Sequence, residues 1–407
     1  MKLLWLYLLS FLIFPIIGEF IVMRADMIIG SGSANNLLII SNIIFVMLLL
    51  VVAYSVQNYK FKKIAIYPKF SYFFAKKVIN RSIPLLIFAA VIVFMLAGRD
   101  ILFRVADRGE IRVSLGMFSI LYKWITLYLT PAILLLNSII YLHLDDNSKK
   151  GLKTKMFFLY FLSILVGLLT GYKATFVIIT IGGLVVLTYK GLSLKKLFLL
   201  CFTIMIGLVF TTIFVRNESN ILIAFNFLIN RMTVMAAYGT VGLWNAFPSG
   251  APFSDYLFNF FTIFGNKIAS LMTGYSVDSI EFLKINLSRL ITYMVYPDTQ
   301  GALKGTVNVT VTNFGEAIYF FGRQLFIVYA LTAGIIIGII IRKFKKCIMF
   351  GLPIKGALFG VYFFTVVISW VNSSSIGTLI SLPVAVWLFL TYITLYLITK
   401  ARLIRTF

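Results

Sequence analysis

Long apolar stretches separated by short polar connections dominate the chain. Predominantly apolar runs fall at 3–23, 37–56, 83–97, 118–142, 156–171, 174–189, 197–215, 318–341, 356–371 and 377–398. A helix needs roughly 20 such residues to cross a bilayer, so the pattern predicts about ten transmembrane helices. Helices satisfy their own backbone groups in lipid, and these runs are too long for barrel strands. The expected fold class is an all-α multi-pass membrane protein, with 1–407 forming a single integral membrane domain. One long interruption, 216–317, is bracketed by Arg216 and Glu316. Its apolar patches at 221–229 and 257–264 predict short helices that dip into the interface rather than a free loop.

At 61% hydrophobic, the composition lies outside the range of soluble proteins. The net charge of +24 would suit nucleic acid if it were evenly spread, and it is not. Lysine and arginine crowd into alternate connections: 57–82, 143–155, 190–196, 342–355 and the tail from Lys400. Only Asp145 and Asp146 oppose them there. That asymmetry predicts both termini in the cytoplasm and 216–317 outside. The same charge attracts anionic lipid and gives no reason to expect nucleic acid as a partner. The first run follows a single lysine and has no small-residue cleavage site, so it is expected to be a retained span. Cys201 lies within a run and Cys347 at an inner end, where neither a disulfide nor a metal cluster is expected. The one histidine, His143, falls on the inner side.

Two stretches carry candidate chemistry. In the outer connection 98–116, Arg104, Arg108 and Arg112 recur every fourth residue, which places three guanidinium groups on one helix face. Like charges at that spacing repel, and an anion relieves them: a lipid headgroup phosphate or a bound phosphate group. In the re-entry 310–326, Glu316, Tyr319 and Arg323 stand at i, i+3 and i+7, the spacing of one helical face. An ionisable pair there is expected to face protein or water, either locking two helices or poising a carboxylate at a cavity mouth above a cation. There is no phosphate-binding glycine loop, no His-Glu-x-x-His and no outer Asp-x-Asp pair, so metal-dependent transfer is disfavoured.

Taken together, the layout resembles the O-antigen and capsule repeat-unit polymerases (Wzy type) of bacterial inner membranes. Many spans with one dominant late outer segment form the first point of likeness. Thr170-Gly171-Tyr172-Lys173-Ala174 resembles a turn of polymerases and ligases, with Lys173 in the place of an arginine. Thr312-Asn313-Phe314-Gly315-Glu316, followed by Tyr319 and Phe321-Gly322, resembles the family's stretch after its large loop. Arg231 and Gly242 repeat an arginine–ten–glycine spacing of its outer loops.

The resemblance implies a GT-C-like fold and glycosyl transfer on the periplasmic face, from one undecaprenyl-pyrophosphate-linked oligosaccharide to another. No cofactor or metal is expected, and a chain-length regulator protein is an expected partner. Pyrophosphate leaves readily once cations neutralise it. The residues expected to do so are Arg104, Arg108, Arg112, Lys173, Arg216, Arg231, Arg289 and Arg323. Glu316, or else Asp298, is the expected base for the acceptor hydroxyl. Tyr238, Trp244 and Tyr319 are the expected sugar contacts. Competing readings are a flippase or exporter of lipid-linked sugars, an O-antigen ligase, and a transferase using Asp26 as base. Flippases favour short outer loops and mid-membrane cations, whereas related ligases are thought to need a histidine in the large loop.

Overall fold

The computed structural model describes residues 1–29, 32–59, 69–102, 115–116, 118–170, 173–189, 191, 193, 202, 204–209, 212–213, 220–305, 309–373 and 375–400, without the side chains of Lys173, Ala174 and Ser373. Among these residues, nine helices are long and apolar enough to cross a membrane, so the chain is an all-α multi-pass membrane protein by helix length and hydropathy. In chain order the first five are α1 (Lys2–Arg24), α2 (Asn36–Asn58), α3 (Tyr72–Ile101), α4 (Phe118–Leu142) and α5 (Asp146–Leu169). A shorter apolar helix, α6 (Lys173–Leu187), follows. The one sheet among the described residues is a two-stranded pairing of Ile28–Ile29 with Gly32–Ser33 between α1 and α2.

Expected runs and observed helices are not the same set. The run 197–215 lies largely outside the described residues, and 174–189 forms the shorter α6. A long apolar helix occupies Ile221–Ala246, inside the supposed outer segment, where the hydropathy reading expected only a short helix at 221–229. It is built of α7 (Ile221–Met232) and α8 (Val234–Ala246), meeting at Thr233. Arg231 and the asparagines between its apolar residues lowered its apparent hydropathy. Packing reveals it: α8 buries Ala236, Ala237 and residues 239–244 against α1 and the later span α13 (Asn313–Met349). Residues 253–304 then form short helices: α9 (Phe253–Phe260), α10 (Asn266–Thr273), α11 (Leu287–Val295) and α12 (Thr299–Lys304). The last two long helices are α14 (Pro353–Asn372) and α15 (Ile376–Thr399).

Local rules account for most helix starts. Asn35 accepts from the Leu38 amide at 2.9 Å and caps α2, and Thr312 accepts from the Gly315 amide at 3.2 Å and caps α13. Small side chains set the closest helix pair. A Cβ on Gly334 would lie 2.8 Å from the Leu49 carbonyl oxygen, and one on Gly338 would lie 2.7 Å from that of Ala53. The four-residue spacing of two glycines lets α13 and α2 touch backbone to backbone, which maximises the dispersion contacts that help hold apolar helices together in lipid. Buried polar pairs add to this: Asn137 on α4 donates to Ser82 on α3 at 2.9 Å.

The described parts of three connections rich in lysine and arginine, 57–82, 143–155 and 342–355, meet at one end of the bundle. His143 Nε2 lies 2.6 Å from the Ile348 carbonyl, Lys345 donates to Asn58 at 3.4 Å, and Arg81 donates to the Ile398 carbonyl at 3.1 Å. The short helices and the start of α13 occupy the other end. Gly338→Leu should separate α13 from α2, costing about 1–3 kcal/mol or more. A melting temperature in detergent that matches the parent protein would rule out the close contact as a determinant of stability.

Candidate functional site

The site is built around a break in α13. Gly322 adopts φ 67° and ψ −174°, a left-handed conformation that interrupts the helix after Phe321. Glycine alone reaches it without a Cβ clash, and here an added Cβ would sit 2.7 Å from the Ser249 carbonyl carbon. The backbone groups near the break find partners in the loop after α8. Ala251 donates to the Tyr319 carbonyl at 2.8 Å, the Tyr256 hydroxyl donates to the Phe320 carbonyl at 2.5 Å, and the Arg323 amide donates to the Pro248 carbonyl at 2.9 Å. Three backbone groups that the break takes out of the helix are thus paired again.

Its consequence is large. In a straight helix Glu316 and Tyr329 would be separated by about 20 Å of rise. Here the Tyr329 hydroxyl donates to Glu316 Oε2, and Phe314 meets Phe326 edge-on with centroids 5.5 Å apart. Residues 313–321 therefore fold back along the span as a short half-helix. Glu316 is 0% exposed at its inner face. Trp370 Nε1 on α14 donates to Oε2 at 2.8 Å, and the Ile376 amide at the head of α15 donates to Oε1 at 2.5 Å. One carboxyl group thus joins α13, α14 and α15. Ionic hydrogen bonds are the stronger kind, and leaving these donors unpaired in the interior is costly.

The expected pairing of Glu316 with Arg323 on one helical face does not form, because the periodicity that places them together stops at Gly322. Arg323 instead donates from Nε and Nη2 to the Trp244 carbonyl at 3.0 and 2.7 Å, with its guanidinium 4.7 Å from the indole centroid. The two expected members of one ion pair thus fasten different joints: Glu316 the α13–α14–α15 contact, Arg323 the end of α8.

Other expected site residues are dispersed. Arg289 is 4% exposed and donates to the Val277 and Ala302 carbonyls at 2.9 and 3.2 Å and to Asp278 at 3.5 Å. Burial pushes this guanidinium down from its ordinary value, against the opposing pull of Asp278. With its donors engaged in this way, it braces the outer helices and is not placed to grip a phosphate. Trp244 and Tyr319 are 1% and 0% exposed, so neither offers a ring face to a sugar; both are core aromatics. Tyr238 is half-buried on α8, and Arg231 is exposed at the end of α7. Asp298 is exposed and caps α12, accepting from the Gly301 amide at 2.8 Å. Gly242 abuts Val295 and Ile291, which makes its spacing from Arg231 a packing feature. Arg104, Arg108, Arg112 and Arg216 lie outside the described residues, as does the Lys173 side chain.

Short helices lie over the break. Lys284 pairs with Asp255 at 2.9 Å, and the Thr262 and Ser375 hydroxyls are 3.2 Å apart, one residue from the Ile376 amide that holds Glu316. Phe253, Leu257, Phe260, Leu271 and Met272 are exposed on these helices, an apolar surface suited to lipid. Sequence reading missed Tyr329 and Trp370, which look like ordinary members of apolar runs. It also passed over Glu19, although a lone carboxylate within a span was signal enough.

Arg323→Ala should cost about 1.5–3 kcal/mol, the worth of hydrogen bonds to a charged group, and Arg323→Lys should recover only part because it loses the paired donors. Unchanged chemical denaturation of Arg323→Ala would mean that the Trp244 joint does not contribute. No protein-family model, curated protein or solved structure matches the chain.

Proposed function

We propose that the chain is a membrane glycosyltransferase of the repeat-unit polymerase type. It moves a growing glycan from undecaprenyl pyrophosphate to the sugar hydroxyl of a new lipid-linked repeat unit, on the extracytoplasmic side of a bacterial inner membrane. The observation that carries this reading is the folded-back half-helix 313–321, wedged among three spans beneath a cover of amphipathic helices. Such an arrangement suits a reaction whose donor and acceptor are both anchored in lipid. The gathering of the basic connections at the opposite end supports placing this half on the outer side.

Both substrates would approach along the interface, where Phe253, Leu257 and Leu271 meet acyl chains. Cations stabilise the departing pyrophosphate electrostatically. Arg104, Arg108, Arg112, Lys173 and Arg216 retain that role in the proposal, together with the exposed Arg231. Arg289 and Arg323, already committed to backbone carbonyls, act as braces. Glu316 is enclosed by three donors and serves as a positioning residue that holds the half-helix in place. Asp298 is the solvent-accessible carboxylate of the pair considered and takes the role of general base, accepting the hydroxyl proton as oxygen attacks the anomeric carbon.

The two carboxylates are separable by experiment. Asp298→Asn should lower chain extension by about 10²–10⁴-fold while leaving folding intact. Glu316→Gln should lower thermal stability together with activity. Surface-glycan ladders and melting curves from the same strains read both effects. A folded, fully stable Glu316→Gln protein that makes no ladder, beside an active Asp298→Asn, would return the base role to Glu316. Wild-type ladders in a gene deletion would exclude polymerisation altogether.

A further inference from the structure

Glu19 lies in the later part of α1 and is 0% exposed, yet it makes no ion pair among the described residues. Asn42 Nδ2 on α2 donates to its Oε1 at 2.7 Å, while Oε2 is buried with no hydrogen-bond partner. A half-satisfied carboxyl in an apolar bundle is expensive. On its other side, Asn42 borders a small cavity between α1, α2 and α13, also lined by Pro15, Phe45, Thr312 and Asn313. Its volume, about 10 Å³, is that needed by one water molecule.

The far wall of this cavity is as underused as the near one. Asn313 is 1% exposed, and neither its amide nitrogen nor its oxygen meets hydrogen-bond geometry with a protein group. It stands beside the Tyr329 hydroxyl, which donates to Glu316. Pro15 has no N–H to offer the Phe11 carbonyl one turn earlier, and Phe11 also lines the cavity. The cavity is thus bordered by Asn42, which is bonded to Glu19, and by Asn313, which stands beside the Tyr329 hydroxyl that is bonded to Glu316.

We propose that this cavity holds one structural water, bound by Asn42 and Asn313, that completes a polar seam from Glu19 to Glu316 and couples the protonation of the two carboxyl groups. Glu19, absent from every role assigned above, becomes a partner of the central carboxyl. The inference rests on packing alone and does not depend on glycosyl transfer. Other ionisable groups in the outer halves of the packed helices are Arg24 on α1, Arg231 on α7, Tyr238 on α8, and Tyr319, Arg323 and Tyr329 on α13, with Lys173 at the start of α6. Of these, Tyr329 is bonded to Glu316, and Arg323 is held by Trp244.

The test is infrared titration of the intact protein in lipid nanodiscs, following the carboxyl carbonyl bands and the stretch of isotopically labelled water. Glu19→Gln should remove one band and move the midpoint of the other by about one pH unit or more, the behaviour of coupled sites. Asn313→Val leaves both carboxyl groups in place but removes a water partner. It should abolish the internal-water band and shift both midpoints. A purely structural Glu19–Asn42 pair predicts that the Glu316 midpoint stays fixed in both variants, and that outcome overturns the proposal. So does the absence of an internal-water band in the parent protein, a result that needs no variant to fold.

Discussion

A carboxyl group buried in an apolar bundle must be surrounded by donors, and the outer half of this protein is arranged to supply them to Glu316. The indole of Trp370, the hydroxyl of Tyr329 and the amide of Ile376 come from three different places in the chain. They converge only because Gly322 turns the chain back on itself. The half-helix, its carboxyl and the three spans beside it are therefore one cooperative unit. Losing any partner leaves a polar group stranded where water cannot reach it.

Neighbouring features serve the same joint. The loop after α8 supplies an amide and a carbonyl, and α9 the Tyr256 hydroxyl, to backbone groups around the break, and Arg323 pins the end of α8 through the Trp244 carbonyl. Above, the outer helices are held by the Arg289 and Lys284 contacts while their apolar residues remain exposed. A rigid, polar, internally satisfied centre is thus covered by elements whose outward surface suits lipid. Under the proposed transfer between two lipid-linked partners, the division would give precision at the centre and a surface along which bulky substrates move.

Much of the fold was legible in the chain. Apolar runs located most of the long helices because burial in lipid demands apolar length and little else. The apolar patch at 257–264 likewise marked a short helical stretch, which the structure forms over Phe253–Phe260 and Phe261–Phe264. Ile221–Ala246 was read only as a short helix at 221–229 because Arg231 and scattered asparagines dilute its hydropathy, whereas its buried small residues matter only once α1 and α13 are in place. Among the candidate residues, Arg289, Trp244 and Tyr319 were read as ligand contacts from their location in an outer segment. Folding consumes their polar or aromatic surface internally.

Sequence alone determined the solvent this protein prefers, the approximate position of most spans, and the segregation of positive charge, since each depends on composition within a window. It also marked Glu316 as unusual. Tertiary structure decided which groups that carboxyl meets. Helical periodicity paired it with Arg323, but one glycine at positive φ cancels the periodicity and substitutes contacts 13, 54 and 60 residues away. Such partners are set by a bend and by close packing, which no local pattern encodes.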